Sequence, residues 1–386
     1  MDAAYLPGNR VTLLNSGDEF FPALLAAIDG AEREVHLETY IFEADETGQA
    51  VASALCRAAR RGLKVRVLAD GFGARDFPRT LMPALVADGV QVLIYRPELP
   101  DLGLRRHRLR RLHRKITVVD GRLAFVGGIN IIDDRNTPHQ IPPRFDYAVC
   151  VEGPLLEPIQ RSVRHVWEIV VWASFRHRFR LPPPAPACCQ PVGNQLAAFV
   201  VRDNIRHRRD IEDAYLQAIA SAREEVILAN AYFLPGRRFK EALREAAARG
   251  VRVTILLQGR VEYRLLHYAS QALYGSLLEA GIRIVEYHRS FLHAKVAVVD
   301  RDWATVGSSN IDPFSLLLAR EANVVVRDAT FTAQLRSSLQ QAMAEGGREL
   351  LPGRWRRIPW HSRWLRRLAY SLVRLMIGLA GYGARH

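Results

Sequence analysis

Residues Leu112 to Asn130, LHRKITVVDGRLAFVGGIN, and residues Leu292 to Asn310, LHAKVAVVDRDWATVGSSN, share one spacing without a gap. Each reads His, any residue, Lys, four residues, Asp, six residues, Gly, two residues, Asn. Residues two apart on a strand share a face. His113 and Lys115 therefore point one way, and so do His293 and Lys295. An imidazole beside an ammonium and a side-chain amide suits an anionic, oxygen-rich group: Lys and Asn hold phosphate oxygens while His attacks or carries a proton. A lone His-x-Lys would read as an incidental strand histidine. Two copies at identical offsets supply the two histidines that a two-step transfer needs.

Working outward, Asp120 precedes Gly121 between the apolar runs KITVV and LAFVG, and Asp300 opens the turn DRDW. Both aspartates read as hairpin-turn residues. Upstream, FPALLAAIDGA, EVHLETYIF, GQAVASALCRAARRG and KVRVLADG predict helix, strand, helix, strand. The order returns after residue 210 with AYLQAIASA, EEVILANAYF, RRFKEALREAAARG and VRVTILLQG. Alternating strands and helices imply a mainly parallel, helix-covered sheet in each half. The expected fold is α/β: two similar domains related by a pseudo-twofold, with the active site at their interface.

Val35 and Val226 are 191 positions apart, but His113 and His293 only 180, so the first copy carries an insertion. It is PELPDLGLRRHRLRRL (97–112), with Arg105, Arg106, Arg108, Arg110 and Arg111 just ahead of His113. It reads equally as a solvated charge run and as a headgroup-binding or membrane-facing loop. The prolines of LPPPAPACCQPVGN cannot continue a helix or a central strand. They divide the chain into 1–180, a linker at 181–194, and 195–345, leaving a tail at 346–386.

After each motif comes a strand with a carboxylate, Asp146 in RFDYAVCVEG and Glu321 in AREANVVVRD. An imidazole in this chemistry needs its far nitrogen held by an acceptor. Glu38 and Tyr40 in LETYIF, and Asn230 and Tyr232 in LANAYF, end strands that look equivalent. Ligands of open α/β sheets sit beyond strand carboxyl ends, so these four residues read as substrate contacts, with core packing the alternative for the tyrosines.

Lys and Arg number 54 against 40 acidic residues, a net charge of +14, which points to a polyanionic partner, lipid surface or nucleic acid. The amino terminus lacks the basic start and apolar core of a signal peptide. No apolar run approaches the roughly 20 residues of a spanning helix. Four cysteines without CxxC spacing, no zinc-like cluster and no GxxxxGK loop predict neither metal nor nucleotide cofactor. The tail from Arg354 interleaves arginines with Trp355, Trp360 and Trp364 ahead of a mostly apolar stretch. It reads as an interfacial amphipathic segment in preference to a helix packed on the domain.

The duplicated pattern HxKxxxxDxxxxxxG(G/S)xN resembles the phospholipase D superfamily. The flanks HLETYIFEADETG, FDYAVCVEGP, NAYFLPGRRF and SSNIDPFSLLLAREANVVV are similar to those of bacterial cardiolipin synthases of the short B type. The resemblance runs from about Asn15 to about Glu345. It implies a catalytic set of His113, Lys115, Asp120, His293, Lys295 and Asp300, although their turn setting gives the two aspartates a structural part. His113 would be the nucleophile and His293 the general acid and base. Asn130, Asn310 and Ser308 would bind phosphate, and Gly128 stands where the second copy has Ser308. Asp146 would orient His113 and Glu321 would orient His293, each within its own half. The implied reaction transfers a phosphatidyl group between phosphatidylglycerol molecules through a phosphohistidine, without metal or cofactor. The implied location is the cell inner membrane, peripherally bound to anionic phospholipid. Hydrolysis by water, a phospholipase D-family endonuclease and a non-catalytic lipid-binding scaffold are the competing readings; nucleic acid is not the expected partner.

Overall fold

The structure is a computed structural model that describes residues 4–97, 110–181, 190–203, 206–261, 264–312, 318–356 and 359–377. Arg105, Arg106 and Arg108 of the insertion, linker residues 182–189 with Cys188 and Cys189, and the tail from 378 lie outside the described residues.

The first half runs β1 (Leu6–Asn15), α1 (Ser16–Asp29), β2 (Glu34–Thr39), α2 (Glu46–Arg60), β3 (Lys64–Asp70), α3 (Met82–Ala87), β4 (Gln91–Tyr95), β5 (Lys115–Val119), β6 (Leu123–Gly127), β7 (Arg144–Phe145), β8 (Tyr147–Glu152) and α4 (Leu156–Ala173). The second repeats it with β9 (Gln195–Arg202), α5 (Asp210–Ser221), β10 (Glu225–Asn230), α6 (Arg237–Ala248), β11 (Arg252–Gln258), α7 (Arg264–Glu279), β12 (Arg283–Tyr287), β13 (Phe291–Leu292), β14 (Lys295–Val299), β15 (Trp303–Gly307), β16 (Glu321–Arg327) and α8 (Ala329–Gly346). A short β17 (Gly347–Glu349), α9 (Pro352–Arg356) and α10 (Trp360–Ile377) follow.

Local chemistry accounts for the elements. In α2, Asp45 caps the first turn by accepting from Gly48 N at 3.0 Å. Val51, Ala54, Leu55 and Ala58 recur at helical spacing and are buried. Gly62, at φ 88°, ends the helix in a conformation that favours glycine. The strands β5 and β14 are buried along their whole length, which fits a sheet covered on both faces.

The half-sheets are β1-β8-β6-β5-β2-β3-β4 and β9-β16-β15-β14-β10-β11-β12-β17, joined by the antiparallel pair β1–β9 into one 15-stranded sheet. Parallel pairing forms the βαβ core, β2-β3-β4 and β10-β11-β12. Toward the junction the pairings are antiparallel, because hairpins link β5 to β6 and β14 to β15. One buried cluster, including Val149, Leu156, Val296, Val324 and Leu335, takes side chains from both halves. The interface is thus a core, and it fixes the two motifs relative to each other.

Candidate functional site

Register makes the halves comparable residue by residue. Gly127 pairs with Ala148 and Gly307 with Asn323, so Asp146 and Glu321, two residues earlier, hold equivalent places. The segment entering each histidine leaves its own half. Leu112 bridges to Arg320, and His113 N donates to Arg320 O at 3.0 Å. On the other side β13 pairs with β7, and His293 N donates to Phe145 O at 2.8 Å.

The carboxylates are consequently exchanged. His113 Nδ1 lies 2.9 and 3.1 Å from the two oxygens of Glu321, and His293 Nδ1 lies 2.6 Å from Asp146 Oδ2. This corrects the expectation that Asp146 serves His113 and Glu321 serves His293. The offsets along the chain are sound, but each partner strand crosses the interface. With Nδ1–H donated to a carboxylate, each ring keeps Nε2 as the atom that can react.

Both lysines are buried beneath the imidazoles. Lys115 Nζ donates to His113 O at 2.6 Å, and Lys295 Nζ donates to His293 O and, at 3.2 Å, to Asp146. Lys295 Nζ also stands 2.7 Å from His293 Nδ1. Burial pushes His293 down to about 3, with the Lys295 charge adding and Asp146 opposing. Burial likewise lowers His113, against the pull of Glu321. Burial brings Lys115 down to about 7 and also lowers Lys295, opposed chiefly by Glu321 and Asp146 respectively. Burial alone would raise Asp146, but Lys295 and His293 outweigh it and hold the carboxyl below its usual range. The free site therefore holds neutral imidazoles over buried amines, and a bound anion would favour the charged form of each.

Ser308 is corrected as a phosphate ligand: its hydroxyl donates to Glu321 Oε2 at 2.5 Å and so supports the carboxylate behind His113. Its counterpart Gly128 has no room for a side chain, since a Cβ there would collide with the Asp146 carboxylate. Asn130 accepts from Ile41 N at 3.1 Å, and no partner of its NH2 group occurs among the described residues. The Oδ1 of Asn310 is buried without a partner among the described residues.

Asp120 and Asp300 are not at the site. Each sits at φ near 50° in a three-residue turn, 55° and 47° respectively, roughly 16 Å along a strand from its lysine. Asp120 accepts from the backbone N–H of Glu32, Arg33 and Glu34 at 2.8 Å each. Asp300 does the same for Arg223, Glu224 and Glu225 at 2.8 to 3.0 Å. Their place in the motif reflects turn architecture, as their turn setting implied.

Of the four strand-end residues, Tyr40 lies against a motif histidine, with its ring 4.9 Å from His113 and Lys115 Nζ 5.4 Å from its centre. Glu38 is removed from substrate: Arg114 clasps it with two bonds of 2.5 and 2.9 Å, and both side chains are buried. Asn230 is likewise spent, accepting from Ile311 N at 2.8 Å. Tyr232 lines a cleft beside β11 and α7. The apparent equivalence of these pairs is one residue off. Val35 pairs with Val119 and Val226 with Val299, which matches Glu38 to Ala229, Tyr40 to Ala231 and Ile41 to Tyr232.

Two buried charged residues next to the site, Arg114 and Arg144, escape the reading of the sequence. Arg144 is buried, stacks 5.4 Å over Phe291, and its charge reaches His293 and Lys295. Arg114 does carry a signal: Glu38 and Arg114 are both charged where their counterparts Ala229 and Ala294 are both alanine.

Comparison with known proteins supplies the family. Residues 24–142 and 215–343 each match the family described as cardiolipin synthase, PLD-like domain. The chain is 39% identical over its whole length to cardiolipin synthase B of Salmonella typhi, covering 93% of that protein. It is 38% identical to cardiolipin synthase B of Escherichia coli strain K12, at the same coverage of both. The major cardiolipin synthase ClsA of Bacillus subtilis is 30% identical over 344 residues, 88% of this chain and 70% of that one. Among solved structures, phosphatidylserine synthase of Haemophilus influenzae superposes with a TM-score of 0.72 at 13% identity, over 97% of this chain and 95% of that one, a likeness of fold. With two histidine–carboxylate pairs crossed at one interface and both halves matched, the chain belongs to the cardiolipin synthase family of PLD-like enzymes.

Proposed function

We propose that this chain transfers a phosphatidyl group from one phosphatidylglycerol to another, forming cardiolipin and releasing glycerol. The observation that carries the reading is the pair of oriented imidazoles over buried amines, His113 with Lys115 and His293 with Lys295, brought to one interface. His113 Nε2 attacks phosphorus, the bond to glycerol breaks, and His293 gives that oxygen its proton. The glycerol hydroxyl of a second phosphatidylglycerol then loses its proton to His293 and displaces His113. Lys115, Lys295, Asn130 and Asn310 stabilise the crowded anionic phosphorus centre. Glu321 and Asp146 hold the rings and balance the positive charge that each acquires in turn. His113 suits the nucleophile because burial keeps its imidazole neutral in the free site. His293 gains its proton once the bound phosphodiester offsets the neighbouring Lys295 charge, and can then serve the leaving group.

Among the described residues no helix is long and apolar enough to cross a membrane. The surface of α10 supports peripheral attachment. Ala369 and Val373 pack inward with the second-half core, while Trp360, Trp364, Leu365, Leu368 and Leu372 stand exposed beside exposed Arg363 and Arg367. Tryptophan, leucine and arginine in that arrangement match the interface of an anionic bilayer.

Purified protein with phosphatidylglycerol vesicles should yield cardiolipin and glycerol by mass spectrometry, with EDTA having little effect. Plasmid cleavage without any lipid product, or phosphatidic acid alone, would contradict the reading.

A further inference from the structure

The helices that follow the last strand of each half, α4 after β8 and α8 after β16, end differently. In the second half α8 finishes on Gly346, and the chain passes through Gly347 straight into β17, where Gly347 pairs with Tyr287. In the first half α4 finishes on Trp172 and Ala173, and the chain reverses through Ser174 and Phe175. The reversal is a Schellman turn: Arg176 N donates to Val171 O at 3.1 Å and Phe175 N donates to Trp172 O at 3.2 Å. Its left-handed position, which favours glycine, is taken by Phe175 at φ 54°.

Phe175 is 83% exposed and Trp172 is 74% exposed, so neither ring is held by the core. The turn itself is braced from both sides. Trp167 Nε1 donates to Phe179 O at 2.9 Å and Leu181 N donates to Glu168 Oε1 at 2.7 Å, which ties the returning chain to α4. Arg176 Nη1 donates to Val92 O on β4 at 3.4 Å, which ties the turn to the edge of the sheet. A braced turn that strains a phenylalanine and shows it to solvent points to a use outside the fold. Arg176, His177, Arg178 and Arg180 follow, all exposed, and residues 169–181 include no acid.

We propose that Trp172 and Phe175 form a bilayer contact of the first half, separate from α10, in which the two rings enter an anionic phospholipid surface and the arginines after them meet its phosphates. The inference rests on the peripheral attachment proposed above. Size and charge choose the bilayer over a protein partner. An aromatic side chain buries about 150–250 Å², so two supply about 300–500 Å², short of the roughly 800 Å² per partner of a stable protein interface. Ring insertion into lipid needs no complementary surface, and arginines without acids are drawn to anionic headgroups. A second copy of a chain with net charge +14 would repel them. Glycine at 175 would make the easier turn but would leave Trp172 without its neighbouring ring.

The test is sedimentation of the full chain with vesicles of phosphatidylcholine and phosphatidylglycerol in equal parts, alongside thermal unfolding without lipid. Phe175→Gly should lower the vesicle partition coefficient about tenfold without lowering the unfolding midpoint, because glycine suits the left-handed turn. A purely structural phenylalanine would show the opposite pattern, a lower midpoint and an unchanged partition. Trp172→Ala, which leaves the turn alone, should also lower the partition about tenfold. An unchanged partition in either folded variant overturns the contact. A variant that keeps its partition and turns a dimer into a monomer overturns it too, and gives the surface to a second copy. The two attachments are told apart by a chain carrying Trp360→Ala and Trp364→Ala. If that chain binds vesicles normally while Phe175→Gly does not, the attachment assigned to α10 fails and the first-half contact stands. If the unaltered chain does not sediment with the vesicles, both fall.

Discussion

The two halves share a backbone and differ in what surrounds each histidine. Behind and beside His113 stand Glu38, Arg114 and Tyr40, which fill the first half with a buried ion pair and an aromatic ring. Behind and beside His293 the same places hold Ala229, Ala294 and Ala231. Behind the carboxylates the bulk is reversed: Gly128 faces the shorter Asp146, while Ser308 donates to the longer Glu321. The duplicated fold thus repeats the paired histidines and lysines and differs in the packing around them. The first half is filled around His113, and the second places three alanines around His293. Neither half is complete alone, because each imidazole is held by the other's carboxylate.

The largest effect should come from the histidines. His113→Ala and His293→Ala should each lower turnover by at least about ten-thousandfold. They should differ in what accumulates. A His293→Ala chain given labelled phosphatidylglycerol should trap phosphate on His113, whereas label on His293 in the reciprocal variant alone would reverse the roles.

Next come the small residues behind the carboxylates. Gly128→Ser should cost roughly a hundredfold in kcat, since its Cβ would displace Asp146 from His293. Ser308→Ala should cost about tenfold through the lost hydrogen bond to Glu321. Equal losses in steady-state kinetics would break the asymmetry.

A smaller effect belongs to pH. Lys115, lowered to about 7 by burial, is charged below that pH and neutral above it. Binding of dimethyl phosphate to the free chain, followed by calorimetry, should therefore weaken as pH rises from about 6 to about 8. Strengthening over that range would contradict the assignment of Lys115 to anion binding.

The smallest effect on chemistry is expected at the turns. Asp120→Ala and Asp300→Ala each strip the acceptor from three backbone N–H groups and should cost about 1–2 kcal/mol of stability. The kcat of the folded fraction should stay within about twofold of the unaltered chain.

Much of this architecture is legible in the sequence. The spacing of the repeated motif locates both histidines and both lysines, strand–helix alternation implies the α/β halves, and the turn chemistry of Asp120 and Asp300 sets them apart from the reacting groups. The crossing of Asp146 to His293 and of Glu321 to His113 is not legible there. Offsets along the chain say which strand follows which, and nothing about which strand end leans over a pseudo-twofold interface. The one-residue slip that equates Tyr40 with Tyr232 follows similar letters at strand ends; the match of Val35 to Val226 already sets Tyr40 against Ala231, as the ladders with β5 and β14 do. Glu38 misleads because a carboxylate at a strand end looks like a ligand, and its partner Arg114 hides between His113 and Lys115 on the opposite face.

The crossed pairing is tested most directly by nitrogen-15 NMR of histidine side chains in Asp146→Asn and Glu321→Gln variants. Asp146→Asn should shift the Nδ1 resonance of His293 and leave that of His113 in place, while Glu321→Gln should do the reverse. A shift of His113 on changing Asp146, with His293 unmoved, would contradict the account.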